Sequence, residues 1–222
     1  MKYCITLSKH ISTQKTIGVL LFGVLFPVLL ASQQLTLSRI VMPKTISERN
    51  IKVLCEDSYG FIWMGGAGLH KYDGYTSKSY IPVGTDSLSN RMGIVYDLLE
   101  TKEGNLWIAA YEGLFFYNRN TDEVGKAFAD HIERIFPTIQ RIFTLFEDSQ
   151  GRIWIGGETG LALMTLEQDT TFQLLHKIEN KGEQHSEGVR GIREDSKGKI
   201  WVATTEGLWE INRNLTIQYY EP

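Results

Sequence analysis

One eight-residue phrase is written four times in this chain, and it limits the folds open to everything around it. The copies run Glu56 to Trp63, Glu100 to Trp107, Glu147 to Trp154 and Glu194 to Trp201. Each has a glycine three residues before its tryptophan (Gly60, Gly104, Gly151, Gly198) and a Gly-Leu pair shortly after it. The tryptophans lie 44, 47 and 47 residues apart, and four of the five in the chain occupy this slot. A fixed period of this length means one supersecondary unit repeated, each copy burying its apolar face against its neighbours. The repeated residues are therefore framework, and function has to be sought where the copies differ.

Aligned on the glycine, the repeats spell alternating strands and turns. Ile51, Val95, Ile142 and Val189 stand nine residues before it, and Leu54, Leu98, Leu145 and Ile192 six before, giving a short apolar strand. The tetrads DSYG, TKEG, DSQG and DSKG carry turn chemistry: Asp and Ser side chains bond nearby backbone N–H groups, and Gly accepts a positive φ. A second strand follows around each tryptophan, in branched and aromatic residues suited to a half-buried pleat. The third strand starts at the Gly-Leu pair. A more variable fourth is expected around Thr76–Ile81, Val124–Phe128, Thr171–Ile178 and Leu215–Tyr220. Four antiparallel strands per 44 to 47 residues predict an all-β fold, a β-propeller with four recognisable blades at about 46–82, 88–130, 136–180 and 186–220. The four repeat tryptophans are expected in equivalent buried positions between blades. The acidic pairs Glu56-Asp57, Glu147-Asp148 and Glu194-Asp195 recur in one turn, which marks them as structural caps rather than as catalytic or calcium-binding carboxylates.

The spacing also sorts propeller types. The Gly-His and Trp-Asp pairs of WD40 blades are missing from the required places. The Asp-box of sialidases sets its aspartate two residues before the glycine; here it stands three before, and Thr101 replaces it in the second copy. The whole unit instead resembles the two-component regulator propeller repeat. Gly68-Leu69-His70-Lys71-Tyr72-Asp73-Gly74-Tyr75 is similar to that family's first-blade signature, and Ser87-Leu88-Ser89-Asn90 to its entry into the next blade. The likeness covers about residues 46 to 215. Departures are a first repeat one residue shorter between Trp63 and Gly68, a second without Asp-Ser, and a third ending Ala162-Leu163-Met164 without a tyrosine.

Residues 1–32 read differently. Lys2, Lys9 and Lys15 precede an uncharged run from Thr16 to Ala31, broken by Pro27 and followed by Ser32, Gln33 and Gln34. A basic start, an apolar middle and a small-residue exit describe a signal peptide, or an uncleaved signal anchor; residues 33–45 form a lead-in. The expected location is periplasmic or extracellular, with inner-membrane anchoring if the leader is retained. A net charge of −3 without a massed basic face argues against nucleic acid. Cys4 falls in the leader, leaving Cys55 on a predicted inner strand as a small buried hydrophobe with no disulfide.

The resemblance implies the periplasmic sensor region of hybrid two-component histidine kinases, in which propellers read an extracellular signal, often a polysaccharide fragment. The expected function is therefore an exported ligand-sensing segment of a two-component system, binding a carbohydrate-like signal without catalysis. Four repeats do not normally close a ring in that family, so a truncated chain, a fragment or one half of an assembly is expected. Its partners would be an oligosaccharide, a downstream sensor or kinase polypeptide, or another copy through open sheet edges. The alternatives are a protein–protein scaffold and a propeller lyase. No nucleophile motif, phosphate loop or metal-ligand spacing occurs, and His10, His70, His131, His176 and His185 form no such pattern, so no cofactor, metal or catalytic residue is assigned.

Candidate ligand contacts lie where the repeats diverge on the face near the channel. Turns between second and third strands hold Ala67, Tyr111-Glu112, Glu158-Thr159 and Thr205-Glu206; loops between blades add Asn90-Arg91, Gln140-Arg141 and Glu187 to Arg190. From these, Tyr111, Glu112, Glu158, Arg190 and Glu206 are selected as the ligand-binding set.

Overall fold

Each acidic turn is closed by one carboxylate that serves two structures at once. Asp57 Oδ1 accepts the N–H groups of Tyr59 and Phe61 at 3.1 and 3.0 Å, while Oδ2 accepts the Trp63 indole N–H at 2.9 Å. Asp148 does the same for Gln150, Arg152 and Trp154, and Asp195 for Lys197, Lys199 and Trp201. The turn and the tryptophan rotamer are thus fixed together. Gly60, at φ 83°, takes the left-handed step that a side chain resists.

The computed structural model describes residues 50–81, 92–127, 141–166, 170–177 and 188–220, all within one compact unit, Ile40–Pro222. The leader at 1–32 and the lead-in at 33–45 lie outside the described residues. The described residues form sixteen strands in four four-stranded antiparallel sheets, with no helix among them. The first sheet joins β1 (Ile51–Glu56), β2 (Ile62–Gly66), β3 (Leu69–Tyr72) and β4 (Ser77–Tyr80) in that order. The second joins β5 (Val95–Glu100), β6 (Leu106–Ala110), β7 (Gly113–Asn118) and β8 (Glu123–Lys126). The third holds β9 (Ile142–Glu147), β10 (Ile153–Gly157), β11 (Gly160–Leu166) and β12 (Thr170–Lys177). The fourth holds β13 (Val189–Glu194), β14 (Ile200–Thr204), β15 (Leu208–Ile211) and β16 (Ile217–Tyr220). The all-β, repeated-blade architecture expected from the sequence is the one observed.

The fourth strands differ at their ends from expectation. Thr76 N–H bonds the Asp73 side chain, so β4 starts one residue later, and Ile81 stands exposed beyond it. Leu215 sits at φ 63° in a turn closed by its own N–H to the Asn212 carbonyl, which delays β16 to Ile217. β8 and β12 each start one residue earlier than expected, at Glu123 and Thr170; Phe128 and Ile178 lie outside the described residues.

Consecutive sheets pack face to face, and their first strands meet: β1 with β5, β5 with β9, β9 with β13. Three apolar cores result, each built around a tryptophan of the earlier sheet. Trp63 lies against Val95, Leu98 and Leu106; Trp107 against Ile142, Leu145 and Ile153; Trp154 against Val189, Ile192 and Ile200. Close approach near the first strands needs a missing side chain. A Cβ on Gly156 would stand 2.4 Å from Val189 Cγ1, and one on Gly65 2.5 Å from Val95 Cγ1.

Two expectations are corrected here. Trp201 does not share the full burial of its three counterparts: it is half-buried, because it faces outward from the fourth sheet. The acidic pair is not a single cap. The aspartate closes its own turn, whereas the glutamate at the end of the first strand reaches back to the turn of the preceding sheet: Glu100 to Ser58, Glu147 to Lys102, Glu194 to Ser149. Cys55 is half-buried, and burial pushes its thiol pKa up.

Candidate functional site

The same irregularity occurs in all four sheets at the start of the first strand. Pairing steps from Ile51 to Val53, from Val95 to Asp97, from Ile142 to Thr144 and from Val189 to Gly191, leaving Lys52, Tyr96, Phe143 and Arg190 as bulged residues. A bulge frees one side chain from the alternation of the pleat and re-aims it. Here the four re-aimed side chains form a continuous ladder. Lys52 Nζ stands 5.6 Å from the Tyr96 ring, Tyr96 meets Phe143 edge-to-face at 5.1 Å and 82°, and the Arg190 guanidinium lies 4.2 Å from the Phe143 ring. These are favourable cation–π and aromatic geometries. All four residues are exposed or half-buried.

A second group adjoins it. Arg141, just before β9, donates to Glu158 Oε1 and to the Tyr111 hydroxyl, both at 3.0 Å, and lies 4.7 Å from the Tyr111 ring. The hydrogen bond to Tyr111, with the charge of Glu158 beside it, pushes the Arg141 pKa up and keeps it charged at every working pH. Gly188 wedges between this group and the ladder: a Cβ there would touch the Gly157 carbonyl, Glu158 Cα and the Phe143 ring. The second-to-third-strand turns are tied to the segments entering each first strand, with Tyr111 N–H on the Ile94 carbonyl, Glu158 N–H on that of Arg141 and Thr205 N–H on that of Gly188.

Of the five residues selected from the sequence, the structure brings Tyr111 and Glu158 together through Arg141, and sets Arg190 in the ladder next to them. Glu112 contributes a backbone bond to the Met92 carbonyl, and Glu206 is exposed in its turn, its N–H on Thr204 Oγ1; neither side chain joins the group. Asn90, Arg91, Gln140 and Glu187 lie outside the described residues. Lys52, Tyr96 and Phe143 were missed, although all follow directly on the aligned Ile/Val position, because four dissimilar residues in one column read as ordinary variation. A cleft of about 540 Å³ elsewhere, lined by Trp107, Phe116, Asn118, Glu123 and Lys126, touches none of the selected residues. Among the described residues no cluster of His, Cys, Asp and Glu is suited to hold a metal ion.

Sheets of four antiparallel strands, stacked in sequence with their first strands together, define a β-propeller protein. Three of its repeats, residues 45–68, 138–159 and 184–206, match the model of the two component regulator propeller family. The repeat left out is the one in which Thr101 replaces the capping aspartate. No curated protein matches the chain. Among solved structures, virginiamycin B lyase from Staphylococcus aureus is 12% identical, with a TM-score of 0.54 over 81% of this chain and 58% of that one. PorZ, a surface component of the type-IX secretion system of Porphyromonas gingivalis, is 16% identical, with a TM-score of 0.53 over 77% and 27%. The extracellular domain of a hybrid two component system from B. thetaiotaomicron is 17% identical, with a TM-score of 0.47 over 77% of this chain and 29% of that one. The chain thus spans less than a third of that last structure, and these likenesses concern the fold.

Proposed function

We propose that this chain is the exported ligand-sensing propeller of a two-component signalling system, holding an oligosaccharide-like signal at the bulge ladder and its Arg141 clamp without turning it over. The observation that carries the reading is the ladder itself. Four unlike residues from four sheets converge at a position where the repeat releases side chains from packing. A sugar presents a ring face and vicinal hydroxyls that both donate and accept. Tyr96 and Tyr111 offer aromatic surface, while Arg141 and Glu158 set donors and an acceptor side by side. The regulator-propeller repeats support the signalling role, and the basic, then apolar, leader from Lys2 to Ala31 supports a location outside the cytoplasm.

The non-catalytic reading is supported by how the polar groups are engaged. Arg141 and Glu158 neutralise each other, and His70 is buried on β3 with Nδ1 2.9 Å from Ser79 Oγ. Calorimetric titration with a panel of plant cell-wall and host-glycan oligosaccharides tests the proposal. At least one should bind, and Tyr111→Ala, Glu158→Gln and Arg190→Ala should each weaken it by roughly tenfold or more. Binding that is indifferent to all three changes, or no binding across the panel, overturns the site. Conversion of the bound sugar overturns the non-catalytic reading.

A further inference from the structure

We infer that Asp97 is the positioning residue of the bulge ladder: its carboxylate ties together the two first strands that carry Tyr96 and Phe143, and so sets the aromatic rung offered to a sugar ring. The inference rests on the ligand-sensing reading of the ladder and adds the residue that gives the ladder its shape.

Asp97 directly follows the bulged Tyr96 on β5. Its Oδ1 accepts the N–H of Leu98, on its own strand, at 3.0 Å. Its Oδ2 accepts the Leu145 N–H at 2.9 Å and the Thr144 hydroxyl at 3.1 Å, both on β9. Leu98 and Leu145 are one position in consecutive repeats, six residues before the turn glycine. Each stands two residues after a bulge, at Tyr96 and at Phe143. One carboxylate therefore grips the same backbone donor on two neighbouring sheets, beside both bulged residues. With the strands held together at that point, Tyr96 and Phe143 meet edge-to-face at 5.1 Å and 82°.

Packing alone does not ask for an acid here. The residue after the bulge is Val53, Asp97, Thr144 and Gly191 in the four sheets, and Val53 packs against the core between the first two sheets. A carboxylate at this position loses hydration, and burial pushes its pKa up in spite of the three hydrogen bonds it accepts. An acid kept where a valine serves the fold is the mark of a residue retained for geometry rather than for stability. The joint is also the one that needs a tie. At the other end of β9, Lys102 gives Glu147 one hydrogen bond, where Ser58 and Ser149 each give two to their glutamates.

Nuclear magnetic resonance of the isotope-labelled chain, with no sugar added, tests this first. Cross-relaxation between the Tyr96 and Phe143 ring protons should report their contact in the wild type. Asp97→Val should abolish it, and Asp97→Asn, which keeps an acceptor oxygen for Leu145 and Thr144, should retain it. Asp97→Val installs the residue that the first sheet carries, so the chain should stay folded, as its urea midpoint will show. Thr144→Val keeps the methyl group that lies over Gly156 and removes only the hydroxyl; it should weaken the contact, and it carries the same test if Asp97→Val unfolds. Calorimetric titration with the same oligosaccharide panel follows. A sugar bound by the wild type should bind Asp97→Val roughly tenfold more weakly, because two unfixed rings must then be ordered on binding, and Asp97→Asn as tightly as wild type. A ring contact that survives both valine changes in the folded chain overturns the inference. So does an affinity that ignores the loss of the contact, or one lowered equally by Asp97→Val and Asp97→Asn. A panel in which nothing binds overturns the sensory reading instead, and the ring contact alone then decides whether Asp97 sets the rung.

Discussion

Glu100, the last residue of β5, holds Ser58 of the preceding sheet by two hydrogen bonds, from its backbone N–H and from its hydroxyl, both at 2.7 Å. Arg119 completes the arrangement by donating to Glu100 Oε1 and to Asp57 Oδ2. Glu194 grips Ser149 in the same two-pronged way. These carboxylates couple one turn to the next at the end of the sheets opposite the turns that hold Tyr111 and Glu158.

Ser58→Ala should cost about 1 kcal/mol of stability, and Glu100→Ala about 2 to 3 kcal/mol, because the latter loses both bonds from Ser58 and also one of the two carboxylates that hold the Arg119 guanidinium. Urea denaturation at fixed protein concentration measures both. A Glu100→Ala chain as stable as wild type would refute the clip.

The second sheet offers a gain. Thr101 gives Asn105 N–H a single bond at 3.3 Å where the aspartates of the other turns make three. Lys102 gives Glu147 one hydrogen bond, from its backbone N–H, and a long ion pair with Nζ 3.9 Å from Oε1, so the buried Oε1 accepts no hydrogen bond. Thr101→Asp brings a carboxylate within reach of the Trp107 indole N–H, and Lys102→Ser supplies the missing hydroxyl in exchange for the exposed Lys102 ammonium, which donates to the Asp148 carbonyl at 3.1 Å and pairs with Glu147 at 3.9 Å. The double variant should be more stable by roughly 1 to 2 kcal/mol, read as a higher urea midpoint with unchanged slope. A lower midpoint would mean that this turn cannot adopt the geometry of its three relatives.

Acid should loosen the molecule for an identifiable reason. Burial pushes the Asp57 carboxyl up, but hydrogen bonds from Trp63, Arg119, Phe61 and Tyr59 outweigh it, so its folded pKa falls below the ordinary value. Asp195 is lowered too, by the Trp201 indole first and by Lys199 N–H next. The unfolded chain binds protons on these groups more readily, so their contribution is complete above the ordinary carboxylate pKa of about 4 and is lost as pH falls below it. Asp97 has the opposite sign: desolvation raises its pKa despite bonds from Leu145, Leu98 and Thr144. Its effect favours folding at low pH and fades as pH rises through the raised value. Stability measured against pH should therefore drop steeply below about pH 4, and Asp97→Asn should raise stability near neutrality while leaving the acid limb in place. An unchanged neutral stability in that variant would show Asp97 to be solvated.

The strands, turns and packing tryptophans were legible because each is a one-column property: a glycine with positive φ, an aspartate that caps, a tryptophan that fills. The ladder was not legible, because a bulge is a relation between two strands and leaves no residue type behind. Lys52, Tyr96, Phe143 and Arg190 share a position and no chemistry. The split role of Glu and Asp was hidden for a related reason: adjacent acids look like one motif until pairing shows them facing different sheets. Trp201 was assigned its counterparts' burial because its local sequence is theirs, and only the neighbour differs.

The clip runs in one direction along the chain. Each turn is gripped by a carboxylate lying 42 to 45 residues later in sequence, Glu100 for Ser58, Glu147 for Lys102 and Glu194 for Ser149. During synthesis a sheet therefore emerges with its own strands and capped turn in place but unlatched, and it is fastened only when its successor has been made. At any stage of synthesis the newest turn is the one still waiting for its carboxylate.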